Sequence, residues 1–385
     1  MSKLDELIAE LCPDGVEYKK LREVSYMQRG TSLTKAKAIE GDIPVISGGK
    51  EPAFYCNSSN RDGETITVAG SGAGAGYVQY WNVSIFANDC FTVKGNEFTE
   101  TKYLYYFMTN IQDKISDTKK GGGVPHVHIS DIENFLVPVP PLEVQREIVH
   151  ILDSFTLLTA ELTAELTARK KQYEYYRDKL LTFDTDAITY KLKDVCESIA
   201  DGDHMPPPKT DNGIPFITIS NITAYNQLDF TNTMFVPHDY YDALADKRKP
   251  KCGDILYSVV GSFGIPVYIK ESINFVFQRH IAILRPKTDI IFPRYMFHVM
   301  KSAAFKQQAD RAAKGAAQKT ISLSSLASMT LRLPSMEEQE RIVSILDRFD
   351  TLCNDISAGL PAEIEARQKQ YEYYRDKLLS FKEKQ

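Results

Sequence analysis

The chain has 385 residues, of which 43% are hydrophobic and 25% charged, and its net charge is −5. That length accommodates two or three domains with real cores, and the balance is that of an ordinary soluble globular chain, not a disordered one. No apolar run nears the roughly 18 residues of a membrane span, and the opening MSKLDELIAEL lacks a secretory apolar region. Six scattered cysteines without a CxxC argue for a reducing cytoplasm and against a zinc site.

In chain order, residues 2–11 read as an amphipathic helix. Strand-like alternation of β-branched and aromatic residues follows at 43–46, 65–69, 77–80, 85–93 and 135–139. A helical stretch at 99–116 precedes a basic, glycine-rich loop, Lys119-Lys120-Gly121-Gly122-Gly123. Pro140-Pro141 then opens a long helix. Its residues 148, 152, 155, 159, 162, 166, 169, 173, 176 and 180 alternate steps of three and four, a heptad seam over about five heptads. A second mixed region has strands at 214–219, 255–260, 265–270, 274–284 and 329–333, a helix at 293–309 and a basic loop from Arg311 to Lys319. Ser335-Met336-Glu337-Glu338 reads as a capping box for a second long helix.

The two helices are copies. ARKKQYEYYRDKLLTF at 168–183 returns as ARQKQYEYYRDKLLSF at 366–381, with only Lys170/Gln368 and Thr182/Ser380 changed. Upstream, LEVQREIVHILDSF matches MEEQERIVSILDRF, pairing Gln145 with Gln339, Asp153 with Asp347 and Phe155 with Phe349. The offset grows from 194 to 198, so the second copy holds four extra residues. They produce a stutter in its seam, and Gly359 and Pro361 predict a break there. Fainter echoes, Tyr18-Lys19-Lys20-Leu21 with Tyr190-Lys191-Leu192, open the two divergent regions. A constant frame therefore carries two variable segments. By position, residues 2–11 match the end of the central helix, which makes the chain close to a circularly permuted two-fold object.

Catalytic chemistry is missing from the sequence. AGSGAGAG at 69–76 is glycine-rich but no Lys-Ser/Thr follows, so it is a turn and not a phosphate loop. Met205-Pro206-Pro207-Pro208 is not an adenine-methyltransferase signature. His126 and His128 have neither cysteines nor clustered carboxylates nearby, which argues against a metal. Local charge leaves DNA open as a ligand: residues 184–334 hold 18 basic against 15 acidic side chains, and residues 13–140 hold 13 against 15.

Paired variable segments, each followed by a helix opening with Pro-x-x-Glu-Gln-like residues, resemble the specificity subunit of type I restriction–modification enzymes. LCPDGVEYKKLREV at 11–24 is similar to that family's opening. TAELTAEL at 159–166 resembles the tandem repeat of the type IC subgroup; the first copy departs at Val144, and CNDISAGLPAEI replaces TAEL in the second. The resemblance implies an α+β, pseudo-two-fold chain. Its parts would be an N-terminal helix (1–12), a first target recognition domain (13–140), a central helix (141–183), a second recognition domain (184–334) and a C-terminal helix (335–385). The long helices would pair as an antiparallel coiled coil.

The implied function is sequence-specific binding of a bipartite, asymmetric duplex DNA site by a non-catalytic, cytoplasmic subunit. It would serve two methyltransferase subunits and two motor-nuclease subunits. S-adenosylmethionine, Mg and ATP would be used by those partners, with no cofactor or metal in this chain. The rival is a coiled-coil scaffold joining two protein-binding domains.

Polar, basic loops in the variable segments are the candidate DNA contacts: Arg29, Lys35, Lys119, Lys120 and His126 in the first. In the second they are His204, Lys209, Arg248, Lys249, Arg279, Lys314, Gln318 and Lys319. Helix packing or partner docking is expected of Gln145, Phe155, Leu162, Leu166, Tyr173, Tyr176 and Leu180. The same is expected of Gln339, Phe349, Tyr371, Tyr374 and Leu378.

Overall fold

β-Branched runs that alternate little, such as Glu64–Ala69, are buried almost throughout, as central strands covered on both faces are. A computed structural model of the chain describes residues 2–121, 123–183, 187–202, 207–316, 318–355 and 357–384. It divides into two units, Met1–Glu161 with Ala366–Gln385, and Leu162–Glu365.

In the first unit a four-stranded antiparallel sheet has the order Ser25–Arg29, Cys90–Gly95, Glu64–Ala69, Val78–Asn82. A three-stranded sheet has the order Phe54–Cys56, Ile43–Ile46, Phe86–Ala87, its last pair parallel. Glu17–Lys20 pairs with Leu136–Val139. The second unit repeats all three sheets. Cys196–Asp201, Ile281–Pro286, Ile255–Ser258 and Pro266–Tyr268 form the four-stranded one. Met234–Val236, Ile214–Ile217 and Val276–Phe277 form the three-stranded one, and Ile188–Lys191 pairs with Thr330–Leu333.

Two expected strands are each split. Residues 85–93 become Phe86–Ala87 and Cys90–Gly95, and 274–284 become Val276–Phe277 and Ile281–Pro286. The first half of each pairs parallel in the small sheet and the second antiparallel in the large one, so the chain has to cross between them. Residues 88–89 and 278–280 are those crossings. The helices expected at 99–116 and 293–309 are also divided. In the second, Ser302 stops one helix and caps the next, its hydroxyl accepting from Phe305 N–H at 3.2 Å.

Leu142–Leu180 is one helix, and the second copy breaks into Met336–Asn354 and Leu360–Leu378. Gly359 sits in the break, where a Cβ would lie 2.4 Å from the Thr351 carbonyl oxygen. Only half of the expected capping box forms. Ser335 accepts from Glu338 N–H at 3.3 Å, but the Glu338 carboxylate turns to Arg341 at 2.7 Å.

Both chain termini lie in the first unit, where the C-terminal tyrosine block packs on residues 142–161, with Tyr374 stacked on Phe155. Lys3–Leu11 packs beside them, with Leu4 buried and Lys3 paired with Glu147. The C-terminal tail closes the same unit, where Val16 N–H donates to the Lys382 carbonyl at 2.9 Å and Tyr18 to that of Phe381 at 2.9 Å.

Candidate nucleic-acid interface

The repeated helices exchange halves. Phe155 stacks on Tyr374 in the first unit (5.4 Å between centroids, 20° between planes), and Phe349 on Tyr176 in the second (5.8 Å, 23°). Each unit thus joins its own post-segment helix to the tyrosine block of the other repeat. Leu162, Leu166, Tyr173 and Leu180 pack into the second unit's core, and Tyr371 and Leu378 into the first's.

Two contacts repeated in each unit fasten these helices to the variable segments. The first is a buried glutamine. Gln145 accepts from Glu100 N–H at 2.9 Å and donates to the carbonyls of Phe98 and Pro140, both at 2.8 Å. Gln339 accepts from Phe292 N–H at 2.9 Å and donates to Ile290 and Pro334 at 3.3 and 3.1 Å. Both are almost wholly buried, so they are internal clamps and not docking residues.

The second contact is an aspartate on the helix. Asp153 receives Lys102 at 2.7 Å and the Tyr106 hydroxyl at 2.5 Å. Asp347 receives Arg294 at 3.0 Å and His298 Nε2 at 2.6 Å. Tyr173 lies 3.0 Å from His298 Nδ1, so its hydroxyl donates to a neutral imidazole that donates in turn to Asp347. Burial pushes the His298 pKa down, outweighing Asp347. Asp350, held against Lys301 at 2.9 Å, lies below the usual carboxylate range: burial pushes it up, but the Lys301 and Arg294 cations outweigh that.

At the first unit's sheet crossing lies a cleft of about 570 Å³, lined by Arg29, Leu33, Asn88, Asp89, His126 and His128 among others. Its frame is backbone. Gly30 N–H donates to Cys90 at 2.8 Å, Asn88 to Ile46 at 2.8 Å, Gly72 to Pro125 at 3.0 Å and Val127 to Gly70 at 3.1 Å. The loop closes through reciprocal Lys120–His126 bonds of 3.0 and 2.8 Å. Side chains then order it. Asp89 accepts from Ser71, the His126 and His128 rings stack 6.0 Å apart, and Arg29 lies 3.4 Å from His128 Nδ1. Lys120 pairs with Asp131. Burial would raise that carboxyl's pKa, but Lys120 and the His128 amide hold it down.

Of the sequence candidates, Arg29 and His126 therefore line one cleft, and Lys120 sits on the loop that closes beside it. Lys35 and Lys119 are exposed nearby in sequence. Arg279 lies on the second crossing, and Lys314, Gln318 and Lys319 are on the loop that closes by Lys314–Thr320 bonds. Arg248 reaches Asp201 at 3.7 Å. Lys249 is engaged internally, donating to the Asp242 carbonyl at 2.9 Å and lying over the Tyr241 ring. Lys209 is exposed. His204 lies outside the described residues. Charge alone misses Asn88, Asp89, His128 and Asp201; aligning GGGVPH with the loop 194 residues later would have located the cleft. Among the described residues no cluster could hold a metal, and no helix is long and apolar enough to cross a membrane.

The two repeated units with shared helices are the architecture of a two-domain specificity protein. The profile of the type I restriction modification DNA specificity domain matches residues 13–169 and again 186–366, and the chain belongs to this family. It is 32% identical to the type I restriction enzyme EcoR124I/EcoR124II specificity subunit of Escherichia coli, over 99% of this chain and 97% of that one. It is 31% identical to a Haemophilus influenzae chain assigned as specificity subunit S.HindORF215P, over 95% and 96%. The crystal structure of a type I restriction–modification S subunit from M. genitalium superposes with a TM-score of 0.63 at 17% identity, covering 95% and 96%. A chain from a study of type I R-M complex assembly and conformational transition gives 0.59 at 20% identity, covering 95% and 98%. These likenesses bear out the α+β two-domain fold and mark the chain as a non-catalytic specificity subunit of a type I system.

Proposed function

We propose that each unit reads one half of a bipartite, asymmetric duplex DNA site, and that the shared helices dock two copies of one methyltransferase subunit. Two motor-nuclease subunits complete the assembly. S-adenosylmethionine, ATP and Mg are used by those partners, and the complex works in the cytoplasm. The paired TAEL units make this chain similar to the type IC subgroup.

The supporting observation is the outward face of the duplicated block. Packing explains why Tyr173 and Tyr371 are the same residue, since both are in cores. It does not explain Tyr175 and Tyr373, each 61% exposed, or the exposed Lys171/Lys369, Glu174/Glu372 and Lys179/Lys377. Identical residues pointing outward from two otherwise divergent units fit one partner species bound twice. Large aromatic side chains are the usual anchors of such contacts.

Methylome sequencing of a host carrying this chain with its methyltransferase tests the reading. Adenine methylation at a two-part sequence with an unspecified spacer is expected. Methylation at one continuous sequence, or at none, would refute it. Native mass spectrometry is expected to give two methyltransferase copies per chain, and one copy when either Tyr175 or Tyr373 becomes alanine.

A further inference from the structure

The two sheet crossings share a backbone and oppose each other in side-chain chemistry. Each of the four backbone bonds given for the first cleft has a counterpart in the second unit. Gly202 N–H donates to Ile281 at 3.4 Å, Gln278 to Ile217 at 3.1 Å, Gly261 to Lys319 at 3.0 Å and Ile321 to Val259 at 2.8 Å. The Lys314–Thr320 loop closes with the same reciprocal bonds, 3.0 and 2.8 Å, as Lys120–His126. Glycine recurs where the frame needs it. Gly121 and Gly315 have φ of 113° and 119°, and Gly72 and Gly261 have 81° and 71°. A Cβ on Gly30 or Gly202 would lie 2.2 or 2.0 Å from a crossing-strand carbonyl oxygen.

On this common frame the side chains differ, and at one position they reverse sign. Arg29 of the first unit stands where the second has Asp201, each being the residue before the framed glycine. Asp89 stands where the second has His280, the Asp89 carbonyl accepting from Gly70 N–H at 3.2 Å as that of His280 does from Val259 N–H at 2.9 Å, and Arg279 is an added residue beside it. His126 becomes Thr320 and His128 becomes Ser322. One side chain stays constant, Lys120 with Lys314.

From this juxtaposition we propose that the two sheet crossings are the base-reading sites. Arg29, Asp89, His126 and His128 set one half-site's sequence, Asp201, Arg279, His280 and Thr320 set the other's, and Lys120 and Lys314 hold the phosphate backbone. This deepens the DNA-reading function proposed above and rests on it. Base edges differ between half-sites in donors and acceptors, so the groups that meet them must differ between the units. A guanidinium satisfies the acceptors of guanine, and a carboxylate the amino donor of cytosine. Phosphates are the same in every sequence, so a group that meets them has no reason to change, and positioning contacts carry no sequence information.

The test uses the full chain assembled with its methyltransferase subunits. The complex is offered duplexes randomised across both half-sites, and the bound fraction is sequenced. Arg29→Gln and Asp89→Asn are each expected to relax one or two base pairs of one half-site by about tenfold to a hundredfold, leaving the other half-site intact. Arg279→Gln is expected to do the same in the other half. Lys120→Ala is expected to weaken binding to all duplexes alike and reduce the salt slope by about one. Two variants in the first cleft guard against a folding defect in either, and Trp81 fluorescence in the same unit reports that fold. The assignment is overturned if folded Arg29→Gln and Asp89→Asn complexes both keep wild-type preferences in both halves. If the wild-type complex selects no sequence, the DNA-reading function itself fails and the cleft assignment goes with it.

Discussion

Replacing Gln145 by leucine removes three hydrogen bonds and strands three backbone groups, the Glu100 N–H and the carbonyls of Phe98 and Pro140. Glutamine and leucine are close in volume and the site is fully buried, so neither a cavity nor solvent relieves the loss. Each stranded group costs about 1–3 kcal/mol, and the added apolar burial offsets part of it. A net loss of about 3 kcal/mol is therefore expected. With a urea slope of about 2–3 kcal/mol/M for a unit of this size, the unfolding midpoint falls by about 1–1.5 M. The assay is built into the chain. Trp81 is its only tryptophan, half-buried in the first unit with its indole N–H bonded to Thr67 at 3.0 Å. Its fluorescence follows that unit's transition. Gln339→Leu, whose lost bonds all lie in the second unit, is expected to move the Trp81 transition far less. A Gln145→Leu midpoint within about 0.3 M of wild type would refute the clamp.

Acid should loosen the second unit first. The His298 pKa is depressed in the folded unit, so below the ordinary histidine value of about 6.5 the unfolded chain takes a proton that the folded one refuses. Stability is then lost as pH falls, and Asp347 and Asp350, also depressed, extend the loss through the carboxylate range. Arg294, Lys301, Arg177 and Tyr173 are the other titratable or charged groups acting on this cluster. Faster amide exchange across Pro293–Lys301 at pH 5.5 than at 7.5, after correction for intrinsic rates, is expected, and His298→Gln should abolish the histidine part. A third TAEL unit adds four residues to the central helix, lengthening it by ~6 Å and rotating it by a net of about 40°. Since B-DNA turns about once per ten base pairs, a spacer longer by one base pair is expected in methylation maps, with both half-sites kept; an unchanged spacer would count against the helix as a ruler. Exchanging residues 184–334 for another family member's segment should change one half of the methylated sequence alone. A change in both halves would show that the units do not read independently.

The duplication, the heptad seam and the break near Gly359 were legible in the sequence because each is a local or periodic property. A seam follows from 3.6 residues per turn, and a four-residue excess from counting. The strand-like runs were legible too, but not their division at 88–89 and 278–280. A run such as Ile85 to Val93 has the same β propensity whether it serves one sheet or two, and only long-range pairing decides. Tertiary structure likewise decided which helix completes which unit. The tyrosine blocks are almost identical, so nothing local says that Tyr374 belongs with Phe155 and Tyr176 with Phe349. It also gave Gln145 and Gln339 their work as clamps, since their partners lie nearly 50 residues away in sequence. The candidate DNA contacts were read from charge, which singles out Arg29, Lys120, His126 and Arg279 and passes over Asp89 and Asp201 at the same sheet crossings. Asp201 looks like surface noise in the sequence until the fold gives it the backbone position that Arg29 holds in the other repeat.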